Sequence, residues 1–105
     1  MSNSVLTSAQ ETPAAGDWCG VYFGTFSTAA SGLRDSVISY GGQVSGCAYG
    51  SPGNITSVQD ARPSLTGNLI TDSADYGVSC VSGSTPSMSD NSFANNLSGN
   101  TNGCL

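Results

Sequence analysis

The chain reads as a mainly β protein: a single antiparallel β-sheet domain with one short helix near residues 32–40, reinforced by disulfides, with α+β as the alternative. Three observations predict this. Leu, Ile, Val and Phe supply only 19 of the 105 residues, whereas Ser, Gly, Thr and Asn supply 50. The apolar residues fall in short alternating runs bounded by Gly, Pro, Asn and Ser, the pattern of short strands and turns. Four cysteines offer crosslinks to a core too thin to hold the chain alone. A chain of this length makes one domain.

Residues 1–16 lack sustained periodicity and read as a flexible N-terminal arm, with Ser4-Val5-Leu6-Thr7 as an edge strand; residues 17–105 form the single disulfide-stabilised domain. From Trp18 to Phe26 runs the densest aromatic and β-branched segment, in which Trp18, Tyr22 and Phe26 share one strand face over Gly20 and Gly24. Trp18 and Tyr22 are expected in the core. The helix rests on Ser31 as cap, Leu33 and Val37 four apart, and Gly41-Gly42 as stop. Against it stands the β-branched character of Ser36-Val37-Ile38-Ser39-Tyr40, which favours a strand.

Residues 43–49 alternate and predict a strand closed by the turn Ser51-Pro52-Gly53-Asn54. Strands are expected at 55–59, 65–71 and 76–81, with Pro63 interrupting. The Ser- and Asn-rich remainder carries Met88, Phe93 and Leu97 as anchors. Asp90 could start a helical turn bearing Phe93 and Leu97. Val44-Ser45-Gly46-Cys47 echoes Val78-Ser79-Cys80, and Gly53-Asn54-Ile55-Thr56 echoes Gly67-Asn68-Leu69-Ile70, but matches this short do not establish a repeat.

Composition excludes much chemistry. There is no His and no Lys, so Ser–His–Asp and Cys–His catalysis, histidine-dependent zinc sites and the P-loop lysine are absent. Arg34 and Arg62 against seven acids leave a net charge of −5, a poor match for nucleic acid or an anionic membrane. No apolar run is long enough to span a bilayer. No cofactor and no metal is implied.

Cys19, Cys47, Cys80 and Cys104 contain no C-x-x-C pair, which favours disulfides over a metal ribbon. Three connectivities are open. Loop-closure entropy favours Cys19 with Cys47 and Cys80 with Cys104, the latter pinning the tail. Disulfides place the protein outside the reducing cytosol, at an extracellular, cell-surface or virion-surface location. The first ten residues show neither a basic n-region nor an apolar core. That fits a leader already removed, a piece of a longer precursor, or a virion component. Asn54-Ile55-Thr56 and Asn96-Leu97-Ser98 match the N-glycosylation pattern, as chance allows in such a composition.

Among the acids, Asp72-Ser73-Ala74-Asp75 reads as a turn, with a carboxylate pair or a calcium site as the minor alternatives. Tyr40, Tyr49 and Tyr76 are the candidate ligand-contact aromatics, because flat π faces suit sugar rings. No catalytic residue stands out, and the chain is not expected to be an enzyme. The function expected is a non-catalytic extracellular structural or assembly module, a filament or pilus-like subunit or virion component. Its expected partners are further copies or a larger extracellular assembly. The alternatives are a small secreted carbohydrate-binding module and, third, an aspartate-dependent hydrolase.

Overall fold

The computed structural model describes residues 3–24, 27–28, 30–43, 53–81 and 84–104. Eleven strands follow one another: β1 (Val5–Leu6), β2 (Val21–Phe23), β3 (Gly32–Arg34), β4 (Val37–Ser39), β5 (Gly53–Val58), β6 (Ser64–Thr66), β7 (Leu69–Thr71), β8 (Tyr76–Val81), β9 (Ser87–Ser89), β10 (Ser92–Ala94) and β11 (Gly99–Asn102). They build three sheets, in the orders β1-β4-β7-β10, β2-β5-β8-β11 and β3-β6-β9. Every pairing is parallel. Each strand therefore pairs with the one three places later, and the chain winds as a three-sided solenoid. Neighbouring coils stack at the strand spacing of about 4.8 Å.

This overturns the expected antiparallel sheet with a helix. Among the described residues there is no α-helix, and residues 32–40 hold two strands, β3 and β4. Asp35 explains why: its φ of 51° lies in the left-handed region and turns the chain sharply between them. The β-branched reading of residues 36–40 wins over the i, i+4 spacing of Leu33 and Val37. The helical turn expected after Asp90 fails for the same reason, because Asp90 has φ 56° and Ser92–Ala94 is β10. Likewise, the expected strand 65–71 is two strands, divided at Gly67 with φ 68°.

Asp35, Gly67 and Asp90 occupy one corner position on successive coils. Tyr40 (φ 64°), Asp72 (φ 57°) and Asn95 (φ 54°) occupy the next corner. Asp and Asn tolerate the left-handed conformation through local hydrogen bonding, which suits them to these corners. Gly67 is needed for a second reason. A Cβ there would lie 2.4 Å from the Asp35 carboxylate, which rests over it.

Inside, side chains stack in columns down the axis. Leu33, Leu65 and Met88 form one; Leu6, Ile38, Ile70 and Phe93 a second; Val21, Ile55 and Val78 a third. Ile38, Ile55, Leu65, Ile70 and Val78 are wholly buried. Each contributes about 1.5–3 kcal/mol by leaving water. A three-sided tube one side chain deep needs few apolar residues, which is how so thin a core suffices.

The corners are fixed by amides rather than by apolar packing. Asn68 accepts from the Ser36 N–H (3.0 Å) and donates to the Leu33 carbonyl (2.9 Å). One coil on, Asn91 accepts from the Asn68 N–H (3.0 Å) and donates to the Leu65 carbonyl (2.9 Å). The chain's abundance of Asn thus satisfies backbone groups that a buried turn would otherwise leave unpaired.

Cys80 and Cys104 are bonded, with Cα atoms 5.2 Å apart, which ties the last coil to the one before. Such a bond forms in oxidising surroundings. Cys19 is disulfide-bonded as well; its expected partner Cys47 lies outside the described residues. So do the body of the expected strand 43–49 and residues Ser51 and Pro52 of the expected turn; Gly53 and Asn54 open β5. No helix among the described residues is long and apolar enough to cross a membrane.

Candidate functional site

The connections between strands differ sharply by corner. Between the β3-β6-β9 face and the β4 face they are two residues long, as at Gly67-Asn68. At the corner that follows β4, β7 and β10, β7 reaches β8 through residues 72–75 and β10 reaches β11 through 95–98. On the first coil, β1 reaches β2 through residues 7–20. At the third corner β5 reaches β6 through residues 59–63, so connections longer than two residues occur at both of these corners.

Tyr40 and Tyr76 both lie at the corner that follows β4, β7 and β10, Tyr40 directly after β4 and Tyr76 at the head of β8, and both are half-buried. Tyr49, the third candidate aromatic, lies outside the described residues. The Tyr76 backbone pairs in register with Gly53 on one coil and Gly99 on the next. A Cβ on Gly99 would meet the ring at 3.7 Å, so the glycine leaves its flank open. Leu97, at 75% exposure the most exposed large apolar residue described, stands two residues before Gly99.

Asp72 and Asp75 belong to this corner too. The Thr71 hydroxyl donates to the Asp72 carboxylate (3.2 Å), and the Asp75 N–H donates to the Ser73 hydroxyl (3.1 Å). The turn is thus organised by Ser73 and by the left-handed Asp72, not by an aspartate closing on its own backbone. Among the described residues no group of acids and cysteines is disposed to hold a metal ion.

The other sequence-singled residues have structural places. The Trp18 indole N–H donates to the Ser39 carbonyl (2.8 Å) and its ring packs on the core. Tyr22 corrects the expectation of burial: in β2 it is Val21 and Phe23 that pack on the core, while Tyr22 is 44% exposed. The face shared by Trp18, Tyr22 and Phe26 is not formed as expected; Phe26 lies outside the described residues. Arg34 and Arg62 are exposed. Asp17 accepts from the Ser8 hydroxyl and the Ala14 N–H, which hold its carboxyl below the ordinary aspartate value.

Both glycosylation-like asparagines are structural. Asn54 is fully buried; its amide accepts from the Gly41 N–H (2.7 Å) and donates to the Thr71 carbonyl (2.7 Å). Asn96 accepts from the Ser73 N–H (3.1 Å) and donates to the Ile70 carbonyl (3.1 Å). A glycan on the Asn54 amide is incompatible with the folded coil.

A second feature is the pair of solenoid ends. Among the described residues β9, β10 and β11 pair on one side only, as do β1, β2 and β3 at the other end. Met88, Phe93 and Cys104 pack on the core from one end and Leu6, Val21 and Phe23 from the other, all only partly buried. Sequence reasoning missed the ends because they exist only once the coils are stacked. Compared with known protein families, curated proteins and solved structures, the chain matches none.

Proposed function

We propose that the protein is a non-catalytic structural module of an extracellular or virion-surface assembly, whose copies stack head to tail through their coil ends. The observation that carries this reading is the matching of the β10-β11 end to the β1-β2 end. Edges β9, β10 and β11 offer unpaired backbone and a half-buried apolar layer. At the opposite end β1 offers its outer edge, and Leu6, Val21 and Phe23 offer the partly buried apolar layer. A second copy continuing the internal register would complete both, since unpaired strand edges are templates for further strands. Such a contact is heterologous and open, the geometry of a filament. The low charge density supports close approach of copies, and the disulfides suit an oxidising exterior.

The register makes the proposal specific. Val5, Val37, Leu69 and Ser92 lie in one column, so Ser92 of one copy would face Val5 of the next. Val5→Lys with Ser92→Lys is expected to weaken association roughly two- to fivefold through like-charge opposition. Val5→Glu with Ser92→Lys is expected to restore it, and Ser92→Lys alone to fall between. Sedimentation velocity over a concentration series reads all four proteins. A wild-type protein that stays monomeric at every concentration, or association blind to these charges, refutes head-to-tail stacking.

A further inference from the structure

We infer that Asn102 is a site of spontaneous covalent modification, at which the side-chain amide is lost through a cyclic imide and an aspartyl or isoaspartyl link takes its place. The inference is independent of stacking, because it concerns one peptide link within a copy.

The reaction begins when the backbone nitrogen of the next residue attacks the asparagine Cγ. A Cβ on that residue crowds the attack, and glycine has none. Of the eight asparagines only Asn102 precedes a glycine. The fold itself demands that glycine. Gly103 has φ 72°, and a Cβ there would lie 2.4 Å from the Cys80 carbonyl oxygen. The vulnerable step is therefore built into the approach of Cys104 to its partner Cys80.

The amide must also be free to turn. Asn54, Asn68, Asn91 and Asn96 each hold backbone groups of other coils with both ends of their amides, which withholds Cγ from attack. Asn102 is not held in this way. Among the described residues neither its amide nor the Gly103 N–H has a hydrogen-bond partner, and the side chain is partly exposed. Asn102 ends β11, which pairs with β8 alone. The opening that brings the Gly103 nitrogen to Cγ is therefore a small one, as at other terminal segments.

The Gly103 N–Cγ bond forms as the Cγ–Nδ2 bond breaks, and the Gly103 proton leaves with Nδ2 as ammonia. Water then opens the imide. Attack at Cγ gives aspartate; attack at the Asn102 backbone carbonyl gives isoaspartate, which lengthens the main chain by a methylene just before Cys104. Either product adds one negative charge to the existing −5. Water is the only co-reactant.

Peptide mapping by mass spectrometry of the oxidised protein, aged at mildly alkaline pH beside a sample kept unfolded in guanidinium, tests the inference. The amide-to-acid mass gain is expected first on the peptide carrying Asn102, at a rate within about tenfold of the unfolded chain. An isoaspartyl-specific carboxyl methyltransferase, used as a probe, is expected to label the same peptide. Asn102→Gln is expected to remove both signals, because its attack must close a larger ring, whereas Asn100→Gln leaves them unchanged. A gain appearing first at another asparagine overturns the inference. So does a folded-state rate at Asn102 more than about tenfold below that of the unfolded chain.

Discussion

The middle coil, β6 to β8, and the last coil, β9 to β11, are built on one pattern and differ in their surroundings. Ser64-Leu65-Thr66-Gly67-Asn68-Leu69-Ile70-Thr71 aligns strand for strand with Ser87-Met88-Ser89-Asp90-Asn91-Ser92-Phe93-Ala94. Leu65 and Ile70 are fully buried, whereas Met88 and Phe93 are only partly so. The middle coil has a neighbour above and below. The last has one, together with the Cys80–Cys104 bond. Burial here is a property of stacking rather than of the residue, and the crosslink stands where stacking is incomplete.

The sharpest way to break this comparison is to cut the same column at two heights. Ile70→Ala is expected to cost about 2–5 kcal/mol, because it opens a cavity between two coils, and Phe93→Ala less than half of that at the open end. Denaturant melts of both variants decide it; equal losses would mean that the last coil is as enclosed as the middle one.

Removing the crosslink comes next. Cys104→Ser is expected to cost about 3 kcal/mol by freeing the loop closed over 24 residues. Amide exchange should rise in β9 to β11 and remain slow in β6 and β7. Uniform acceleration would make the bond a global rather than a local support.

A smaller effect separates the two asparagines. Asn68→Ala strands the buried Ser36 N–H and Leu33 carbonyl and is expected to cost about 1–3 kcal/mol. Asn91 sits closer to solvent, so Asn91→Ala is expected to cost about 1 kcal/mol, since water can replace its bonds. Thermal melts rank the two, and the reverse order would contradict the role given to the ladder.

Much of the strand content was legible in the sequence. Segments 55–59 and 76–81 are β-branched and alternating, and they became β5 and β8. The direction of pairing was not legible, because a short alternating run has the same appearance in parallel and antiparallel sheets. The repeat was hidden by conservative drift: Leu65 becomes Met88, Ile70 becomes Phe93, and the left-handed position is Gly67 on one coil and Asp90 on the next. The echo between Gly53-Asn54-Ile55-Thr56 and Gly67-Asn68-Leu69-Ile70 joined segments that lie on different faces, β5 and β7. At the candidate site, Tyr40 and Tyr76 were identifiable as aromatics beside turns. Leu97 has the look of an apolar anchor in the sequence, whereas in the fold it lies in the turn between β10 and β11 and is 75% exposed.

Hydrogen exchange of the oxidised protein, followed strand by strand at dilute and at high concentration, tests the central claim most directly. Stacking of coils, within a copy and between copies, predicts slow exchange in β6 to β8 at both concentrations. It predicts that Ser87–Asn102 exchanges fast when dilute and gains protection when concentrated. Exchange in that segment unchanged by concentration would contradict stacking between copies, and fast exchange throughout β6 to β8 would contradict the solenoid itself.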